Sequence, residues 1–188
     1  MKKGLLIVGM IVVLIGGFLI GSYNGLASSR ENIASAQADI DTMLQRRADL
    51  IPNLVSTVKR FAAHETEVYD AVFEARTQLM NASTMQDKAD ADAALDAALT
   101  QLNVVVEAYP ELKSDTTYIG LMDELAGSEN RISTARKDYN EVVRSYNQRI
   151  VTFPTSILAN MFGFTKADYF EAAAGAATTP DVGALLGK

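Results

Sequence analysis

DTTYIGLMDELAGSENRISTARKDYNEVVRSYNQRIVT, residues 115–152, sets Tyr118, Leu125, Ile132, Tyr139 and Tyr146 seven residues apart. Leu121, Ser128, Ala135, Val142 and Arg149 form a companion row. A seven-residue repeat held this long keeps one seam of a helix turned toward neighbours that it crosses at a shallow angle. At 1.5 Å per residue such a helix is roughly 55 Å long. Phe153-Pro154 ends it, because proline cannot continue a helix. The reading is therefore all-α, with long helices packed lengthwise.

Upstream, Tyr109-Pro110 closes a second helix, since the residue before a proline avoids the helical region. That helix runs over about 85–108 and is rich in alanine. Asn81-Ala82-Ser83-Thr84 forms the turn before it, with Ser83 or Thr84 as the cap. Asp87, Asp90, Asp92 and Asp96 crowd its start, where acidic groups suit the helix dipole. A calcium loop would require a glycine turn and a bidentate glutamate that these aspartates lack.

Further upstream, Ile33, Ala36, Ile40, Leu44, Ile51, Leu54, Val58, Phe61, Val68, Val72, Ala75 and Leu79 fall at helical spacing. The stripe keeps its phase across Pro52, which predicts one helix over about 28–80 kinked at that proline.

Residues 4–22, GLLIVGMIVVLIGGFLIGS, carry no charge. About 20 apolar residues suffice to cross a bilayer as a helix, and the helix satisfies every backbone amide internally. Residues 1–3 form a short flank. Lys2 and Lys3 with Gly25-Leu26-Ala27 outline a signal peptide, but the apolar run exceeds a usual h-region, so an uncleaved anchor is expected. With no cysteine in the chain, a lipoprotein anchor is excluded. Lysines before the span and only Arg30 close behind it place the body outside the cytoplasm. Gly17 and Gly21, four apart, could let two spans approach closely, although glycine is common in spans without such a role.

Beyond the span lie 23 acidic and 15 basic residues, a formal charge of −8. Such a surface does not hold nucleic acid by charge. Downstream, 155–161 forms a short amphipathic helix, and Phe162 and Phe164 flank a glycine. These phenylalanines are expected against the end of the bundle, or exposed as a contact patch. Residues 171–188 read as a flexible tail.

Two charged residues interrupt the first stripe at core positions: Arg47, between Ile40 and Leu54, and Glu65, between Val58 and Val72. A buried charge is tolerated only when paired. The third helix offers Glu129, Arg131 and Arg136, and Ser128 would widen the layer. The alternative turns Arg47 and Glu65 toward solvent. His64-Glu65 resembles half of a zinc motif, but the second histidine is replaced by Val68. No nucleophile elbow or phosphate loop is present. No catalytic residue, cofactor or metal ligand is nominated.

Several motifs together resemble the bacterial LemA family. They are Tyr23-Asn24-x-Leu26, Ile40-Asp41, Arg46-Arg47-x-Asp49-Leu50-Ile51-Pro52-Asn53-Leu54-Val55 and Val58-Lys59-x-x-Ala62-x-His64-Glu65. Glu107-Ala108-Tyr109-Pro110-x-Leu112-Lys113, Glu129-Asn130-Arg131-Ile132, Ala135-Arg136-x-x-Tyr139-Asn140, Tyr146-Asn147 and Phe162-Gly163-Phe164 follow in order. The likeness covers Tyr23 to about Phe170. In one departure, Gln37 stands three residues before Ile40-Asp41, where the family usually carries tryptophan.

The resemblance implies an elongated antiparallel up-and-down bundle of four-helix type over 23–170, behind a single span in a bacterial inner membrane. It implies no enzymatic activity. The expected role is non-enzymatic self-assembly or scaffolding of other envelope proteins, with the lipid bilayer as constant partner. The alternative is an accessory or sensor subunit that binds a ligand or peptide at the polar layer.

Overall fold

The structure, a computed structural model, describes residues 2–171. Met1 of the expected flank and all but Glu171 of the expected tail lie outside them. Six helices and no strand occur among the described residues: α1 (Lys2–Lys59), α2 (Thr66–Asn81), α3 (Met85–Glu107), α4 (Pro110–Lys113), α5 (Thr116–Val151) and α6 (Thr155–Met161). The fold is all-α, a long apolar N-terminal helix followed by a helical bundle. The chain divides into two compact units, Met1–Asp39 with Ala135–Tyr169 and Ile40–Thr134 with Phe170–Lys188.

In the second unit, side-chain pairs give the topology. Arg76 reaches the Ala48 carbonyl and Tyr69 the Ala62 carbonyl, so α2 runs back along α1. Lys88 meets Asp41 and Arg47 meets Asp92 and Asp96, so α3 runs parallel to α1. Arg47 lies by Glu129 and Arg60, just past the end of α1, by Asp115, just before α5, which sets α5 antiparallel to α1. The result is an up-and-down bundle of α1, α2, α3 and α5. Its core includes Ile40, Ile51, Leu54, Val58, Tyr69, Val72, Leu95, Leu102 and Ile132, each fully buried.

The helix expected over 28–80 differs in two respects. It is continuous with the apolar helix from Lys2, and it stops at Lys59, with Pro52 inside it. Proline has no N–H for the carbonyl four residues back, a loss that ordinarily disrupts a helix. Here the orphaned carbonyl is that of Ala48, and Arg76 Nε donates to it at 2.8 Å from α2. A borrowed donor lets α1 pass through Pro52. The chain turns at 60–65, RFAAHE, which contains neither glycine nor proline. There the buried Tyr69 hydroxyl donates to the Ala62 carbonyl and holds the reversal.

At the start of α3, Thr84 and Asp87 form a reciprocal capping box. Accepting from Thr84 holds the Asp87 carboxyl below its usual pKa. Pro110 at the first position of α4 gives a short helix between α3 and α5. Asp115 then caps α5 by accepting from the Tyr118 N–H at 2.9 Å.

In the first unit, residues 163–169 follow α6 without helix or strand. Their backbone groups need partners, and α5 supplies them. The Tyr146 hydroxyl donates to the Thr165 carbonyl at 2.8 Å, and the Tyr139 hydroxyl donates to the Asp168 carbonyl at 2.9 Å. Asn147 does both jobs at Ala167, donating to its carbonyl and accepting from its N–H, each at 2.8 Å. Arg149 crosses to α1, donating to the Gly25 carbonyl and to Ser29 Oγ.

Candidate functional site

Arg47 is 3% exposed, yet it carries a full charge. Its position on α1, between Ile40 and Leu54 on the stripe that faces the core, forces it inward. One guanidinium nitrogen donates to Asp92 at 2.6 Å and to Glu129 at 2.7 Å, and the other donates to Asp96. Burial alone would lower the Arg47 pKa, but Asp92, Asp96 and Glu129 outweigh it and hold the group above the ordinary arginine value. Three carboxylates around one guanidinium leave a formal charge of −2. Asp92 is buried, whereas the Asp96 and Glu129 side chains are 53% and 39% exposed, so the cluster opens to solvent on one side. Beside it on α3, the buried Lys88 pairs with Asp41.

The carboxylate oxygens of Asp92, Asp96 and Glu129 lie within 4.8 Å of one another, a spacing that suits a divalent cation. Arg47 donates to all three and stands in the place a cation would take. Its Nε and the buried Ser128 Oγ find no hydrogen-bond partner among the described residues.

Of the residues named from the sequence, Arg47 and Glu129 come together. Glu65 lies at the N-terminus of α2 and is half-buried; its charge, after burial itself, raises the Tyr69 pKa. Arg131 is exposed on α5, and Arg136 belongs to the other unit. Asp92 and Asp96 were readable only as helix-dipole acids. The signal that marks Asp92 is spacing: Lys88, Asp92, Leu95, Leu99, Leu102 and Val106 share one helical face, on which Lys88 and Asp92 interrupt an apolar row.

The second group of named residues lies in the first unit. Gly163, at φ 72°, takes the left-handed conformation that ends a helix, and the Phe164 N–H bonds back to the Ala159 carbonyl at 2.8 Å. That closure sets Phe162 and Phe164 on either side of the glycine, and both rings meet Tyr23 edge-on at 5.0 and 5.8 Å. Tyr23 follows the apolar stretch of α1, where residues 3–21 are exposed apart from a half-buried Gly16. Gly17 and Gly21 face open space. Gln37 lines a groove of about 320 Å³ with Arg30, Ile33, Tyr146 and Lys166, at the turn where the family usually carries tryptophan.

One helix long and apolar enough to cross a membrane, leading into helices packed around buried charge, defines a membrane-associated helical protein. The chain belongs to the LemA family, which it matches over residues 36–183. It is 31% identical over 179 residues to magnetosome protein MamQ 2 of Paramagnetospirillum magneticum, covering 81% of this chain and 66% of that protein. Magnetosome protein MamQ of Magnetospirillum gryphiswaldense is 28% identical over 178 residues, covering 81% and 65%. Protein LemA of Metamycoplasma hominis is 23% identical over 154 residues, covering 81% and 70%. The chain thus spans just under two thirds of the length of these MamQ proteins.

Proposed function

We propose that this protein is a single-pass, non-enzymatic anchor of the bacterial inner membrane whose extracytoplasmic bundle assembles with itself or holds other envelope proteins in place. The observation that carries this reading is α1. Its exposed apolar stretch continues without a break into residues whose side chains, Leu26 and Ile33, are buried against the rest of their unit. A tether that is also a packed structural helix suits a protein that positions things. The open small-residue face at Gly17 and Gly21 offers one route to pairing spans. The MamQ relatives, named as magnetosome proteins, support a role tied to a membrane-organising setting.

Cross-linking the full-length protein in native membranes, followed by purification in mild detergent, tests the proposal. Self-linked species or reproducible protein partners are expected. A purely monomeric protein that brings nothing with it would overturn the reading.

A second reading has its own observation. The Arg47 cluster keeps a formal charge of −2 and exposes two of its carboxylates, so it could receive a cationic ligand or peptide as a sensor. Asp96→Asn would then abolish the response and leave thermal stability nearly unchanged. A large loss of stability would make the cluster structural.

A further inference from the structure

Helix α6 is short and carries apolar residues on two sides, with Thr155, Ser156 and the exposed Asn160 between them. Leu158 and Ala159 turn inward and are buried. On the other side Ile157 and Met161, one helical turn apart, are 60% and 62% exposed, and Phe153 in the turn just before the helix is 77% exposed. Val151 and Phe162 extend this patch at 57% and 51%. A helix at a water-facing surface carries polar residues on its outer side, and a contiguous exposed apolar patch marks a surface that meets another apolar phase.

What that phase is follows from position. Gly4 to Tyr23 spans about 28 Å along α1 at 1.5 Å per residue, close to the roughly 30 Å of a bilayer's hydrocarbon core. Tyr23 therefore falls at one membrane boundary, where amphipathic aromatic rings collect. Phe162 and Phe164 pack directly on that ring. The apolar patch is thus continuous, through Tyr23, with the surface that already requires lipid.

We infer that the outer face of α6, with Phe153, Ile157 and Met161, lies in the boundary layer of the same bilayer that α1 crosses. The bundle is then held to the membrane at two places rather than one. Two points of attachment restrict how far the body can tilt and turn about α1, which a single helix does not. The inference rests on the anchoring role of α1.

The chain contains no tryptophan, so one introduced residue reports on one site. Full-length Phe153→Trp and Ile157→Trp, each exposed and outside the core, are reconstituted in phosphatidylcholine and phosphatidylglycerol vesicles that contain phospholipids brominated near the headgroup end of the chain. Ile11→Trp with lipids brominated near the chain terminus reports on the span. Asp138→Trp, exposed on α5 about 20 Å along the axis from its C-terminal end, reports on water. Phe153→Trp and Ile157→Trp are expected to lose most of their emission and Asp138→Trp to keep it. Quenching at Ile11→Trp without quenching at the α6 sites would overturn the inference and leave the anchor standing. Loss of quenching at all sites would overturn both. A blue-shifted but unquenched Phe153→Trp would mean that protein, such as a second copy, covers the patch, and would also overturn it.

Discussion

The two units solve the same problem, buried polarity next to α5, in opposite ways. In the unit that contains Arg47, the polar groups are charged and answer one another: one guanidinium bonds to three carboxylates from α3 and α5. In the unit that contains Asn147, they are neutral side chains that answer the backbone of 163–169. The same seven-residue row serves both. It begins at Tyr118, whose hydroxyl donates to the Asn103 side chain of α3, is aliphatic at Leu125 and Ile132, and becomes tyrosine again at 139 and 146, where the neighbour is an irregular segment whose carbonyls need donors. A charged cluster fails badly when its one cation is removed, because the buried Asp92 is left unpaired. A neutral one loosens locally.

The comparison is broken most directly at Arg47. Arg47→Ala leaves the buried Asp92 facing Asp96 and Glu129 with no cation, and should lose about 3–5 kcal/mol by chemical denaturation. A loss near that of a surface ion pair, below about 1 kcal/mol, would mean that water or ions enter and that the cluster is not an internal one.

Next comes Arg76, a charge that serves the backbone and so stands between the two types. Arg76→Ala should cost about 2 kcal/mol, because it strips the Ala48 carbonyl of its donor. In a Pro52→Ala background, residue 52 supplies that donor from within the helix, and Arg76→Ala should then cost markedly less. Equal costs in both backgrounds would show that Arg76 acts by something other than covering for the proline.

Asn147→Ala should cost about 1–2 kcal/mol, with the effect concentrated in 163–169. Hydrogen exchange would detect this as faster exchange at Ala167 with the α2 and α3 amides unchanged. Uniform loss of protection would erase the distinction between local and global failure.

The smallest effect is in alkaline pH. Burial, aided at Tyr139 by Asp168, raises the Tyr139 and Tyr146 pKa values, with Arg30 partly opposing the rise at Tyr146. A raised folded pKa gives stability that is complete below the unfolded value near 10 and is lost as pH climbs through the folded one. Stability should therefore fall above about pH 10, and Tyr146→Phe should make that fall shallower in pH titrations of the melting temperature, because a phenyl ring has no proton to lose.

Much of this was open to reading in advance, and the residues show why. Charge-free residues 4–22 read as a helix long and apolar enough to cross a bilayer, and the structure makes them one. The heptads of 115–152 admit one class of fold, because a seven-residue seam must bury against other helices. Thr84 announced a helix start through local chemistry alone. Arg47 was visible as a charge on an apolar stripe, which needed partners if it turned inward rather than toward solvent.

The partners were not visible. Asp92 and Asp96 lie 45 and 49 residues from Arg47, and a carboxylate near the start of a helix looks the same whether it serves the dipole or a guanidinium packed against it. The end of α1 was hidden for a related reason. Proline is a local breaker, and its rescue came from Arg76, 24 residues away, while the actual reversal at 60–65 contains none of the residues that announce turns. Periodicity and composition are properties of neighbours in the chain, so the sequence alone determined which segments are helical and which one is apolar enough for lipid. Which buried group meets which depends on helices brought side by side, and so only the tertiary structure decided that Arg47 sits among three carboxylates, that Arg76 covers for a proline, and that Phe162 and Phe164 close on Tyr23.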